Sequence, residues 1–182
     1  MFSIIIPTFN NIEYLKLCLK SIKKNSKFKH EIIIHINEGT DGTREYVKQN
    51  NLKYTFNDTN AGVCVAFNKA VKLANNKYVV LGHDDMYFCP EWDTVFADEL
   101  KLLNSNEDFF LSGTMVQPFE SYINLDCGKN YKDFDEEKLL FELPKIKYND
   151  FQGTHWQPSL IPIKTWNKVA GFSEEFNPGF AS

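Results

Sequence analysis

At 182 residues, 43% hydrophobic and 24% charged, the chain has the make-up of one ordinary domain with a sizeable core. Its formal charge of -4 excludes the basic footprint of a nucleic-acid binder, and no apolar run reaches membrane-spanning length, so only peripheral attachment to a membrane stays open. Cys18, Cys64, Cys89 and Cys127 lack metal-type spacing and read as reduced thiols, and no signal peptide precedes the first strand, so the expected location is cytoplasmic, with the inner face of the membrane open.

In chain order, Phe2 to Ile6 is a compact β-type run stopped by Pro7. Asn10 is placed to cap the helix that follows, with Glu13 at the acid position of a capping box. Ile12, Leu15, Leu19 and Ile22 then recur at helical spacing, and Lys23 to Lys29 is a basic exit loop. Glu31 to Ile36 is almost continuously apolar, which predicts a strand buried on both faces, as in a parallel sheet. The turn from Asn37 to Gly42 leads into a helix over Thr43 to Gln49, with Asp41 as a cap or turn residue. A short strand near Tyr54, a turn over Asn57 to Gly62 and a helix from Val63 to Ala74 follow.

Tyr78 to Leu81 predicts a buried strand that runs into Gly82-His83-Asp84-Asp85. Carboxylates at the carboxyl end of a parallel strand lie where open α/β sheets bind ligands. Two adjacent Asp repel unless something positive lies between them, and a divalent cation on phosphate oxygens meets that need. The alternative is an Asp pair capping the helix that begins near Pro90. Glu91 to Leu103 predicts that helix, with Trp92 on its apolar side, and Phe109 to Val116 predicts a strand. From Gln117 to Asp150 regularity breaks down, apart from a short helix around Glu136 to Phe141, and such a stretch reads as a lid or binding loop. Its acidic cluster of Asp133, Asp135, Glu136 and Glu137 reads as a solvated face. Phe151 to Ile163 returns to strand character, Lys164 to Val169 is one helical turn, and Gly171 to Ser182 is a loop. This alternation predicts a single α/β domain with a mixed, largely parallel sheet and helices on both faces.

The turns at successive strand ends, taken together, resemble the family 2 glycosyltransferases of GT-A fold. Ser3 to Asn10 looks like that family's opening strand and nucleotide-contacting turn, and Glu31 to Thr43 like its second strand and acidic turn. Asn60-Ala61-Gly62-Val63 through Asn68 is similar to its N-x-G helix start, and His83-Asp84-Asp85 sits at its D-x-D-like motif for metal and nucleotide sugar. Gly171 to Phe176 resembles its G-F-D-E-x-F segment. The resemblance covers nearly the whole chain in the right order. It implies a GT-A domain over residues 1–182, with a nucleotide-sugar-binding half over 1–116 and a partial acceptor-side half over 117–182. The implied activity is inverting, metal-assisted transfer from a UDP-, GDP- or dTDP-sugar to a glycan, lipid-linked or polysaccharide acceptor.

Donor contacts are then implied for Pro7, Thr8, Asn37, Gly62, His83 and Asp84, and acceptor contacts for His155 and Trp156. Asp85 is the implied ligand of Mg2+ or Mn2+, which take hard oxygen donors. Asn37 stands where the family often has an Asp that accepts the base N–H, but an amide both accepts and donates, so the base stays open. Gly62 either lets the backbone pass close to the nucleotide or simply starts a helix. His155-Trp156 is either a sugar platform or a half-buried pair. Two departures stand out at the donor side. His83 replaces the first Asp of D-x-D and reads as a supporting residue rather than a ligand, and Phe67 stands where an Arg commonly offers a phosphate contact. Inverting transfer also needs a base for the acceptor hydroxyl. The family places that carboxylate shortly after the G-F-D-E-x-F segment, and the sequence ends at Ser182. With Glu174 and Glu175 read as structural, the expectation is a donor-binding core without its general base, and a non-catalytic nucleotide-sugar-binding module is the alternative. A nucleotidyltransferase is disfavoured, because no Gly-rich basic loop follows the first strand.

Overall fold

The computed structural model describes residues 1–103, 108–119, 122–147, 149 and 157–175. Its first half alternates strictly: β1 (Ser3–Phe9), α1 (Ile12–Asn25), β2 (Glu31–Asn37), α2 (Thr43–Gln49), β3 (Lys53–Asn57), α3 (Gly62–Val71), β4 (Tyr78–Leu81) and α4 (Trp92–Leu102). The second half is more broken. Short strands β5 (Leu111–Ser112), β6 (Val116–Gln117) and β7 (Ile123–Asn124) precede α5 (Glu136–Glu142), a 3-10 turn at Leu143–Lys145, β8 (Ser159–Pro162) and α6 (Ile163–Lys168). The main sheet has the order β3-β2-β1-β4-β8-β5. Its first four strands are parallel, and β8 lies antiparallel to both β4 and β5.

The two-residue period of the strands sorts their side chains into two cores. Ile4 and Ile6 of β1, Ile34 and Ile36 of β2 and Val80 of β4 pack with Leu15, Leu19, Ile22, Val47, Trp92 and Phe96, so α1, α2 and α4 cover one face. Ile5, Ile33, Val79 and Leu81 pack with Phe67, Ala70, Val71 and Trp166, so α3 and α6 cover the other. A sheet covered on both sides explains why β1, β2 and β4 read as unbroken apolar runs. Trp92 is core, as its helical position predicts, and Cys18, Cys64, Cys89 and Cys127 are free thiols. Among the described residues no helix is long and apolar enough to cross a membrane.

Pro7 does not stop β1, which runs on to Phe9. The Ile5 carbonyl accepts from Gly82 N, so by strand alternation the Pro7 nitrogen faces the same side, where β4 has already ended at Leu81. No ladder partner is lost, and a proline is tolerated there. The strand predicted over Phe109 to Val116 shortens to Leu111–Ser112, because Gly113 N turns to bond the Pro158 carbonyl at 2.8 Å and Val116 joins a separate pair with β7.

Asn10 does not cap α1 either. Its backbone is left-handed, with φ +47, and its side chain reaches sideways to Glu38 Oε2 at 3.2 Å and accepts from Thr40 N at 2.8 Å. The capping role falls to Asp41. Its Oδ2 accepts from Ile12 N at the start of α1 (2.8 Å), and its Oδ1 accepts from Thr43 N at the start of α2 (3.1 Å). One carboxylate thus meets the positive ends of two helices. Burial opposes ionisation of Asp41, but the bonds from Thr43 and Ile12 prevail and hold its carboxyl below the ordinary value. Asp41→Ala is expected to cost about 1–2 kcal/mol in urea unfolding, and a loss below about 0.3 kcal/mol would mean that water replaces both caps.

Two further links organise the fold without a signature in the sequence. Asp93, fully buried, accepts on Oδ2 from Lys27 N, Phe28 N and His30 Nε2, each at 2.9 Å. His30 Nδ1 in turn accepts from Phe2 N at 3.1 Å. The acidic cluster is not simply a solvated face: Asp135 caps α5 through Lys138 N, and Glu136 accepts from Tyr87 Oη and Lys24 Nζ, both at 2.7 Å.

Candidate functional site

Strands β1, β2 and β3 step one way across the sheet, and β4 then returns to the far side of β1. That reversal makes the carboxyl ends of β1 and β4 the switch point of the sheet, and doubly wound sheets bind ligands in the crevice outside such a point. The residues delivered there are Thr8 from β1, Asn37 from β2, Gly62 at the start of α3, and His83, Asp84 and Asp85 just past β4.

Gly82 N extends the sheet by one bond to Ile5 O (3.0 Å), and the chain then turns tightly, with Met86 N donating to His83 O at 3.4 Å. The Asp pair forms the tip of this turn. It does not cap the next helix: α4 begins at Trp92 behind Glu91, and no side chain caps it. Asp85 is exposed, whereas Asp84 is half-buried. Burial pushes the Asp84 carboxyl up to about 6, and the charge of Asp85 adds to this against the neighbouring Thr8 and Asn11 side chains. The Thr8 hydroxyl is buried and makes no full hydrogen bond. The His83 ring meets the edge of Phe67, with centroids 5.7 Å apart, and burial lowers its pKa against the pull of Asp85. A neutral imidazole packed on Phe67 fits a supporting role. Phe67 itself is core, 2% exposed, so its place is one of packing rather than phosphate binding.

Among the described residues no group of three or more His, Cys, Asp and Glu could hold a metal ion. The chemistry present is a pair of hard carboxylates, one outward and one with a raised pKa. This fits an ion of the Mg2+ type, which is commonly held by one or two carboxylates and completed by substrate phosphates and water. It does not fit a metal caged by protein alone.

The raised Asp84 pKa sets two opposite pH trends. As the pH falls below about 6 the carboxyl protonates, so any binding that uses Asp84 as an anion weakens. The empty fold behaves the other way: between about pH 4 and 6 the native state binds more protons than the unfolded chain, so stability rises as the pH falls. Calorimetry at pH 7.5 and 5.0, beside thermal melts of the free chain, checks both signs. Affinity unchanged between the two would remove Asp84 from the site.

Asn37, 4% exposed, accepts on Oδ1 from Ala61 N at 3.0 Å. Gly62 N donates to Asn60 Oδ1 at 2.9 Å, and Gly62 itself has φ +81, a conformation that favours glycine. Asn68 anchors the segment after α6: it donates to Phe172 O and Glu174 Oε1, both at 2.9 Å, and accepts from Phe172 N at 3.0 Å. A Cβ on Gly171 would fall 2.3 Å from Asn68 Oδ1, which accounts for the glycine. Glu174 is therefore a partner of Asn68. Pro7 lies one residue below the crevice on β1. His155 and Trp156 lie outside the described residues. Sequence reasoning missed Asn11, whose side chain acts on Asp84, because its neighbour Asn10 offered the more familiar cap. Two open hollows, of about 520 and 430 Å3, lie away from the crevice, one beside Lys24 and Pro90 and one beside Phe110 and Trp166.

The family model for glycosyl transferase family 2 matches residues 3–166. The chain is similar to a putative teichuronic acid biosynthesis glycosyltransferase, TuaG of Bacillus subtilis, at 31% identity over 188 residues, covering 99% of this chain and 73% of that one. It is 33% identical over 169 residues to the uncharacterized glycosyltransferase MG025 of Mycoplasma genitalium, covering 81% of this chain. The chain spans 57% of that relative's length and 47% of another's, about half. Among solved structures, the mannosyltransferase PcManGT of Pyrobaculum calidifontis, in complex with GDP-Man and Mn2+, matches 96% of this chain and 48% of its own, with a TM-score of 0.64 at 19% identity.

Proposed function

The chain belongs to glycosyl transferase family 2 and has the GT-A fold, and from that premise we propose that it binds a nucleotide sugar across the ends of β1, β2 and β4 and transfers the sugar to a hydroxyl of a glycan, lipid-linked or polysaccharide acceptor. The observation that carries this reading is the Asp84-Asp85 turn at the switch point, with one carboxylate exposed and the other pushed up to about 6 by burial and by its neighbour. Such a pair is strained for want of positive charge. A divalent ion bound there with the donor's diphosphate would offset the charge that develops on the leaving group.

The chain's own residues have distinct parts in this scheme. Asp85 reaches outward as the ion's ligand. Asp84 faces the ribose or the ion, with Thr8 and Asn11 beside it. Pro7 and Thr8 bring main chain to the nucleoside, and Gly62 lets the start of α3 approach it without a side chain in the way. Asn37 meets the base, and His83 supports the turn by packing on Phe67. In this reading residues 1–116 form the donor half and 117–182 part of the acceptor half, with His155 and Trp156 as acceptor contacts. The transfer is inverting, and the protein works in the cytoplasm or at the inner face of the membrane. Glu174 is not assigned as the base, because it is committed to Asn68.

A nucleotide-sugar-binding module without catalysis is the second reading, favoured by that commitment of Glu174. Calorimetric titration with nucleoside diphosphates, with and without Mn2+, followed by an assay for donor turnover, separates the two. Metal-dependent binding with turnover supports the transferase, and binding without turnover supports the module. No binding by a folded chain would sink both.

A further inference from the structure

Positive charge gathers on α1 and on the loop that joins it to β2. From Tyr14 to His30 there are six lysines and no Asp or Glu, in a chain whose formal charge is -4. Lys16, Lys20, Lys23 and Lys24 recur at helical spacing, so they share the face of α1 opposite the buried Leu15, Leu19 and Ile22. Lys16 pairs with Glu13 and Lys24 with Glu136. Lys20, Lys23, Lys27 and Lys29 are exposed and have no ion-pair partner among the described residues. Glu91, across the hollow beside Lys24 and Lys27, marks the border of this surface toward α4.

Phe28 interrupts the charge. It is 40% exposed at the tip of the loop, between Lys27 and Lys29. The backbone beneath it is fixed: Lys27 N and Phe28 N both donate to the buried Asp93 Oδ2 at 2.9 Å, and the His30 ring meets Phe28 edge-on at 6.5 Å. The loop therefore holds an apolar ring outward in a set place, and little ordering is left to be lost on binding. Lysines alone would serve solubility, whereas a phenyl ring among them exposes apolar area that water disfavours.

We propose that this surface attaches the protein peripherally to an anionic lipid surface, with the lysines against headgroup phosphates and Phe28 in the boundary between headgroups and acyl chains. Lysine point charges suit such a diffuse anionic layer. A nucleic acid calls for the planar fork of Arg, and the chain's one Arg, Arg44, lies on α2 over the Phe56 ring. The loop precedes β2, so it sits at the amino ends of the parallel strands, whereas the Asp turn sits at their carboxyl ends. The seven residues of β1 set the two about 20 Å apart. Attachment leaves the donor site clear, and the inference stands whether or not that site binds a nucleotide.

The test is co-sedimentation of the full chain with phosphatidylcholine vesicles, with and without phosphatidylglycerol, at about 0.1 M and about 1 M salt, where charges are screened beyond about 10 Å and about 3 Å. Binding is expected only with the anionic lipid and only at the lower salt. Changing Lys20, Lys23, Lys27 and Lys29 together to Gln should weaken it about a hundredfold or more, at about fivefold per lysine. Phe28→Ser should weaken it about tenfold. A control with the exposed Lys48, Lys72, Lys129 and Lys132 changed to Gln has the same net charge and should bind as the unsubstituted chain does. Equal binding to neutral vesicles, no binding to anionic ones, or an equal loss in the control overturns the proposal. So does binding unchanged by Phe28→Ser, which would leave a face for polyanions in general. If the four-lysine variant does not fold, the unsubstituted chain at both salts and Phe28→Ser decide.

Discussion

Asp85→Ala is expected to abolish metal-dependent nucleotide binding and to lower any sugar transfer about 1,000-fold or more, while leaving the fold intact. The two halves of this expectation come from the same observation. Asp85 is exposed and has no hydrogen-bond partner among the described residues, so its loss removes nothing the fold depends on, and stability should stay within about 0.5 kcal/mol. It also adds to the raised pKa of Asp84, so the variant should let Asp84 ionise at lower pH. Asp84→Asn provides the contrast. Replacing a half-buried carboxylate that burial and its neighbour disfavour should stabilise the free protein by about 1–2 kcal/mol at pH 7, while nucleotide affinity falls. A substitution that strengthens the fold and weakens binding marks a site held under electrostatic strain for its ligand. Mn2+-dependent binding retained in Asp85→Ala would place the ion elsewhere and reduce the Asp pair to a turn.

The parts of the molecule that were legible in the sequence are those where one periodicity dominates. β1, β2 and β4 are unbroken apolar runs, the helices between them are apolar at helical spacing, and together these make the two cores on either side of the sheet. Asp41 was readable as a cap because its turn is local. The misreadings share a cause, which is contact between residues distant in sequence. Asn10 looked like a cap, but Asp41, 29 residues beyond Ile12, supplies the acceptor and leaves Asn10 to bridge to Glu38. Pro7 looked like a strand stop, and only the length of β4 on its open side shows that it costs nothing. In the site, the Asp pair and Gly62 could be seen in advance, but the polarity of Asn37 could not, since it depends on Ala61 approaching from α3. Phe67 looked like a lost phosphate contact and is instead the surface on which His83 and Phe172 rest.

Asp93→Ala is expected to be the most damaging single change to stability, at about 3–5 kcal/mol, out of roughly 5–15 kcal/mol for a whole domain. Asp93 is fully buried at the start of α4, and its Oδ2 gathers three donors: the backbone N–H groups of Lys27 and Phe28 and the ring of His30. Removing the carboxylate strands all three away from water. The damage spreads because His30 also accepts from Phe2 N and stacks on Phe2 at 5.2 Å, so α4, the α1–β2 loop and the start of β1 loosen together. Since Nδ1 accepts, the proton sits on Nε2, and burial lowers the His30 pKa against the pull of Asp93, so the bond joins a neutral imidazole to a carboxylate. For Asp93 burial opposes ionisation, but the donors of Phe28, His30 and Lys27 hold its pKa below the ordinary value. Both shifts act with the same sign. Below about pH 6.5 the unfolded chain takes up a His proton that the native state refuses, and nearer pH 4 it takes up an Asp proton as well, so stability falls with acid. Asp84 pulls the other way between about pH 4 and 6, and in urea unfolding Asp84→Asn should steepen the acid loss, because it removes the one trend that opposes it. An Asp93→Ala chain that loses less than about 1 kcal/mol would mean that water reaches the three donors, and that α4 is held by Trp92 and Phe96 alone.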